Sequence, residues 1–290
     1  MPARPLALDL THTAAAELAL VLTAVGIRHE LRSGDAGAEI WVDDLERPRA
    51  VDELRRYFGE NRHLPPPSRP LPRHPHAAWG AAAYAVTLMS VSAAALYGLA
   101  GRNWVGRGVL ETDLLLRGEW WRAFTALTLH ADAGHLFANL LFGVLFAYPA
   151  AQLVGVGIAW LAIVLGGGLA YALDALIAPS GHSVLGASTA VFVALGLVSS
   201  FSWRRRTSLA LTRMQRGAPL VAGIALLAFT GAGGERTDLL AHLLGFAVGA
   251  LFGLVLARLP LPAPGDDRPQ HWAAAMAAAV LFASWATALA

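Results

Sequence analysis

Gly181-His-Ser-Val-Leu-Gly186-Ala-Ser188-Thr-Ala-Val-Phe192-Val-Ala-Leu-Gly-Leu-Val-Ser-Ser200 is the stretch from which the rest of the chain can be read. Gly186, Ala187 and Ser188 are small, and the run from Ala190 to Val198 is apolar. A serine at the mouth of such a helix often does no more than bond back to a carbonyl one turn earlier. Two other stretches argue against that here. His130-Ala-Asp-Ala-Gly-His135-Leu-Phe-Ala-Asn139 opens an earlier apolar segment, and Ala241-His242-Leu-Leu-Gly245-Phe-Ala-Val-Gly249 opens a later one. Ionisable and amide side chains within apolar spans are costly and mark functional positions by default. Three helices carrying such groups near one end define a site.

The composition agrees with apolar spans. Of 290 residues, 56% are hydrophobic and 14% charged, against roughly 25% charged in a soluble domain. The deficit lies after residue 77, where runs of about 20 apolar residues recur, each long enough for a hydrocarbon core of about 30 Å. The chain therefore reads as a polytopic, all-α membrane protein in a lipid bilayer. A formal net charge of +2 gives no argument for nucleic acid. The absence of cysteine excludes disulfides, thiolate metal sites and cysteine catalysis. No HExxH occurs, and no metal or cofactor set is read. The first 17 residues hold no apolar core of signal-peptide length, so an uncleaved N-terminus is expected.

Residues 1–63 read as a small soluble α+β domain: a helix over Ala14–Val25, strands at Ile27–Leu31 and Glu39–Val42, and a helix over Pro48–Phe58. Residues 64–77 form a proline-rich linker. Seven spans are expected, at 78–99, 133–153, 156–178, 185–203, 218–232, 239–257 and 271–290, with a loop over 258–270. Between the first two, Gly101–Leu129 carries Trp104, Trp120, Trp121 and Phe124, which suits an element lying in the interface. No inverted repeat of the transporter kind is evident.

Arginines orient the spans. Arg204, Arg205 and Arg206, with Arg213 and Arg216, follow the fourth span, and Arg62, Arg69 and Arg73 precede the first. The positive-inside rule then places the N-terminus and the loop 258–270 in the cytoplasm. Spans two, four and six start on the outer side, which brings His130, His135, Ser188 and His242 to a similar depth. Histidine suits the task of taking the proton from a serine hydroxyl. The small-residue stripe of Gly245 and Gly249 would let the sixth span approach the fourth closely enough for His242 to reach Ser188. His135 and Asn139, four apart on one helical face, can present donors to a developing oxyanion. Asp238 reads as the N-cap of the sixth span, with a third catalytic member as the alternative. His182 is expected to face water, and Gly166-Gly167-Gly168 to serve packing.

With these residues in place, the chain resembles the rhomboid family of intramembrane serine proteases over residues 78 to about 257. Trp121-Arg122 is similar to the WR pair of the first outer loop. His130, His135 and Asn139 match the HxxxxHxxxN spacing, Gly186-Ala187-Ser188 the GxS motif, and Ala241-His242 with Gly245 and Gly249 the AHxxGxxxG of the sixth span. The resemblance implies a rhomboid-like six-helix bundle, here with a seventh C-terminal span, and a Ser188–His242 catalytic dyad. It assigns His135 and Asn139 to the oxyanion and gives His130, Phe192, Trp121, Arg122, Gly186, Gly245 and Gly249 supporting parts. Implied substrates are single-span membrane proteins, cut near the outer face at small residues in a helix prone to unwinding. The implied setting is a bacterial-type inner membrane. An inactive relative that binds transmembrane helices without cutting them is the alternative. The chain departs from the family pattern at Thr189, where glycine is usual, and at Gln152, where glutamate is common.

Overall fold

The computed structural model describes residues 3–34, 37–61, 73–206, 217–218, 220–225, 228 and 238–290. Two compact units divide at Pro70 and Leu71. In the first, β1 (Ala3–Leu10), α1 (His12–Ala24), β2 (His29–Gly34), β3 (Gly37–Asp43) and α2 (Arg47–Glu60) follow in order. The strands form an antiparallel sheet in the order β1-β3-β2. Alternate residues of β3, Ala38, Ile40 and Val42, are buried, and the last two join Leu18, Leu22, Ile27, Ala50 and Leu54 in the core. Thr11 caps α1 by accepting from the Ala14 N–H. Strand β1 was not foreseen. Its Pro5 weakens the strand pattern, yet proline is tolerated on an edge, and β1 is an edge strand.

The second unit begins with α3 (Ala77–Leu96), which leads through a 3-10 turn at Leu99–Gly101 into a chain of short elements. These are α4 (Trp104–Gly108), β4 (Leu110–Glu111), α5 (Thr112–Leu116), α6 (Arg122–Thr125) and a 3-10 turn at Ala126–Thr128. Long helices follow: α7 (Ala133–Val154), α8 (Val156–Ile177), α9 (Ser188–Arg206), α10 (Leu239–Leu256) and α11 (Asp267–Leu289), with β5 (Ser183–Val184) ahead of α9. Among the described residues, α3, α7, α8, α10 and α11 are long and apolar enough to cross a membrane. Helix α9 ends in arginines, which lower its hydropathy, but Thr189–Phe201 is buried except for Val198. It lies at the centre of the unit, against α7, α8 and α10.

Glycine sets how close these helices come. A side chain on Gly249 would meet the Val193 carbonyl oxygen at 2.1 Å, one on Gly245 the Thr189 oxygen at 2.6 Å, and one on Gly253 the Leu197 oxygen at 2.5 Å. From the other side, a side chain on Gly196 would meet the Phe246 oxygen at 2.2 Å. The small-residue stripe thus faces α9, backbone against backbone. Gly166 and Gly167 of α8 admit Val193, Leu127 and Ala190, and Gly168 admits the Phe124 ring. These three are packing positions, as the sequence suggests.

Helices α9 and α10 are both near a membrane thickness long and start at the same end. The span expected at 218–232 lies largely outside the described residues. Within it, residues 220–225 are helical, and Gly223 abuts Ser199 and Phe246. The linker 64–77 is likewise mostly outside the description; α3 begins at its last residue, Ala77.

The seventh span starts four residues earlier than expected, because Asp267 favours the positive end of the helix and Pro269 is tolerated in a first turn. Its first turn holds Gln270, whose Oε1 accepts from the Gly157 and Ile158 N–H groups at 3.0 and 3.1 Å. The Gln270 Nε2 donates to the Val154 carbonyl at 3.2 Å. One buried amide therefore serves the end of α7 and the start of α8 together, satisfying groups that helix termini leave open. At the other end of α11, the Trp285 Nε1 donates to the Thr128 Oγ1 at 3.0 Å. A crevice of about 340 Å³ lies between α3 and α11, walled by Tyr84, Trp160, Ile163, Ala190 and Leu281.

Gly249→Val forces α10 away from the Val193 carbonyl. The expected loss is roughly 1–3 kcal/mol, read as a lower unfolding midpoint in detergent. Gly59→Ala, where an added Cβ meets nothing within 4 Å, leaves the midpoint unchanged.

Candidate active site

Ser188 is the first residue of α9, and its position is set by the loop before it. Gly186 has φ +135°, a region that disfavours side chains, and a Cβ there would lie 2.7 Å from the His135 Cε1. The Gly186 N–H donates to the Ala126 carbonyl at 2.9 Å, and its own carbonyl accepts from the Tyr171 hydroxyl at 2.8 Å. Strand β5 pairs Val184 with Leu110 and Ser183 with Glu111 of β4. The Thr112 N–H donates to the His182 carbonyl, and Asp113 accepts from the Ser180 hydroxyl and the Gly181 N–H. The serine loop is thereby tied to the segment 110–113.

That segment is anchored by Arg122, which is 4% exposed. Its guanidinium pairs with Glu119 at 2.7 Å and donates to the carbonyls of Gly106 and Val109. A fixed fork of donors suits this task, and a lysine would not serve it equally. The Trp121 Nε1 donates to the Arg107 carbonyl at 3.4 Å, and the Thr125 hydroxyl to the Gly108 carbonyl at 2.7 Å. Trp121 and Arg122 therefore act on loop geometry and not on the serine itself.

His242 lies in the first turn of α10, behind an N-cap. Asp238 Oδ1 accepts from the Ala241 N–H at 2.9 Å. The imidazole is 6% exposed, and its Nε2 is 2.8 Å from the Ser188 Oγ, at hydrogen-bond distance. The Phe192 ring, one turn on from Ser188, stands 4.4 Å from the imidazole centroid at 40°. Asp238 Oδ2 turns to His182 Nε2 at 2.7 Å. The cap reading of Asp238 therefore stands. His182, expected to face water, is only partly exposed and held by Asp238.

His135 and Asn139 start α7, whose N-cap, Asp132, accepts from the His135 N–H at 2.8 Å. Aspartate three residues before His135 is a capping signal that the catalytic motifs do not include. Asn139 is 4% exposed, and its Nδ2 is buried without a hydrogen-bond partner among the described residues. A buried donor left open is costly and calls for a reason. Its backbone carbonyl accepts from the Tyr84 hydroxyl at 2.7 Å. His130 packs edge-on against His135 with centroids 5.2 Å apart, and its Nδ1 lies 3.5 Å from the Ser92 hydroxyl. Asn139 and His135 both lie against Gly186, two residues before Ser188.

Thr189 is 1% exposed and packs its methyl against Gly245 of α10. A Cβ on Gly245 would meet that methyl at 3.3 Å. The methyl is thus accommodated by the glycine stripe, while the Thr189 Oγ1 is buried without a hydrogen-bond partner among the described residues.

Gly186→Ala strains the backbone and drives a methyl into His135. The expected loss is about 1–2 kcal/mol, read in the unfolding midpoint, with a changed His135 environment in its imidazole NMR signals.

No curated protein matches the chain. Residues 117–259 match the family model of the Rhomboid domain. The match starts later than the resemblance drawn from motifs, which also takes in α3, and both end before α11. It includes α6 to α10 and every residue described above that surrounds Ser188 except Ser92, Tyr84 and the segment 106–113. With its apolar helices and this Rhomboid domain, the chain is a multi-pass integral membrane protein.

Proposed function

We propose that the protein is a serine endopeptidase that cuts single-span membrane proteins with a Ser188–His242 dyad. The observation that carries this reading is the 2.8 Å contact between His242 Nε2 and Ser188 Oγ, made between two helices locked by glycine. His242 takes the hydroxyl proton as Ser188 Oγ bonds to the scissile carbonyl carbon. The proton then passes to the leaving amine, and water resolves the acyl-enzyme. Asn139 Nδ2, His135 and the Ser188 N–H, left open at the start of α9, receive the oxyanion. Phe192 holds the imidazole plane, His130 supports His135, and Trp121 and Arg122 hold the loop that carries Gly186. A peptide bond inside a helix is shielded by its own hydrogen bonds, so the substrate must unwind locally first.

A second reading, an inactive member that only binds transmembrane helices, draws on Thr189. The placement of its methyl against Gly245 favours activity, because the side chain is absorbed in helix packing.

Ser188→Ala and His242→Ala are each expected to lower cleavage of a model single-span substrate by about 10⁴-fold or more, and the double variant little further. A fluorophosphonate probe should label the wild type at Ser188. Asn139→Ala should lower kcat by about 10²–10³-fold with little change in KM. A folded wild type that takes no label, cuts nothing and gains both on Thr189→Gly would move the chain to the inactive class.

The proposal includes orientation. Arg204 and Arg205, at the end of α9 opposite Ser188, support a cytoplasmic position for that end by charge asymmetry, and so a site facing outward in a bacterial-type inner membrane. Single cysteines are readily introduced into this cysteine-free chain. Cysteines at 204–216 should react only after the membrane is permeabilised, and those at 233–236 in intact cells. The reverse pattern refutes the orientation.

A further inference from the structure

Beside the serine site, three acid and imidazole groups from three different segments converge. Asp174 comes from the last turn of α8, His182 from the loop before Ser188, and Asp238 from the cap of α10. One donor atom from each lies within 4.8 Å of the other two. His182 Nε2 stands 2.7 Å from Asp238 Oδ2 and 3.7 Å from Asp174 Oδ2.

Asp174 is the unusual member. Its side chain is 0% exposed, and neither carboxylate oxygen accepts a hydrogen bond. Among the described residues, its ion-pair partner is His182 alone, which Asp238 holds more closely. Burying a carboxylate without hydrogen bonds is expensive, and a second carboxylate nearby adds repulsion. One shared imidazole compensates two such groups poorly.

We propose that Asp174, His182 and Asp238 bind a divalent cation of the zinc class. One imidazole nitrogen and two carboxylate oxygens form a donor set suited to zinc, whereas calcium requires six or more oxygens. Metal–donor bonds near 2.0–2.2 Å put tetrahedral donors about 3.3–3.6 Å apart. The 2.7 Å contact must open and the 3.7 Å contact close, each by less than about 1 Å. Binding releases any proton held on the imidazole to solvent. Asp238 can serve both ends, since Oδ1 stays on the Ala241 N–H while Oδ2 faces the cation. A fourth position is left for water. The cation would fasten the loop that carries Ser188 to the helix that carries His242 and to the end of α8.

The test uses the full-length protein, free of any histidine tag, purified in detergent and dialysed against a chelator. Zinc chloride is titrated by calorimetry, and thermal unfolding is followed in parallel. The expected result is one tight equivalent of zinc and a raised unfolding midpoint, unchanged in Ser188→Ala. Asp174→Asn and His182→Gln should each weaken that equivalent by about tenfold or more. Zinc-edge absorption should show one imidazole and oxygen donors. Binding is read without turnover, so its outcome is independent of whether the protein is a protease. No zinc retained by folded wild type would overturn the proposal. Equal affinity in wild type and His182→Gln would do so as well, assigning the metal to surface histidines. If Asp174→Asn fails to fold, the His182→Gln affinity and the absorption spectrum decide.

Discussion

The contact of α10 with α9 runs backbone to backbone, Gly245, Gly249 and Gly253 lying against the carbonyls of Thr189, Val193 and Leu197. In a bilayer no hydrophobic force drives two helices together, so association rests on packing and on polar contacts. The glycine face lets the axes approach until an imidazole in the first turn of one helix reaches a hydroxyl in the first turn of the other. Larger residues would leave both helices intact and separate the pair. The central position of α9, buried almost throughout, follows from the same economy of side-chain volume on α8 and α10.

The second determinant is how an irregular segment is held still near a membrane surface. Residues 101–129 are built of very short helices and turns, whose ends leave carbonyls that need donors from side chains. Arg122, Trp121 and Thr125 supply them, and β4 passes the constraint to β5 and so to the serine loop. Ser188 is located by a chain of hydrogen bonds that begins some sixty residues earlier at Arg122.

Much of this was legible in the sequence, for reasons of spacing. His135 and Asn139 lie four apart, and Gly245 and Gly249 lie four apart, so each pair shares a helical face before any fold is known. The arginine cluster after α9 gives an expected common depth through a rule independent of the site. What could not be read depends on long-range partners. Gln270 is one polar residue near a span boundary, and nothing local marks it as the joint of α7 and α8. Asp174 and His182 become neighbours of Asp238 only once three segments fold together. Strand β1 was obscured by Pro5, whose tolerance depends on an edge position that only the sheet order reveals.

The seventh helix acts as a strut fixed at both ends. Near one face, Gln270 closes the turn at Val154–Ile158; near the other, Trp285 holds Thr128, in the turn that leads to His130. Hydrogen bonds fix its ends, and between them Ala273 and Ala277 are buried by packing. The middle of α11 borders the crevice with α3. The two ends are thus fixed by directional hydrogen bonds, whereas the stretch between them, beside the crevice, is held by side-chain packing.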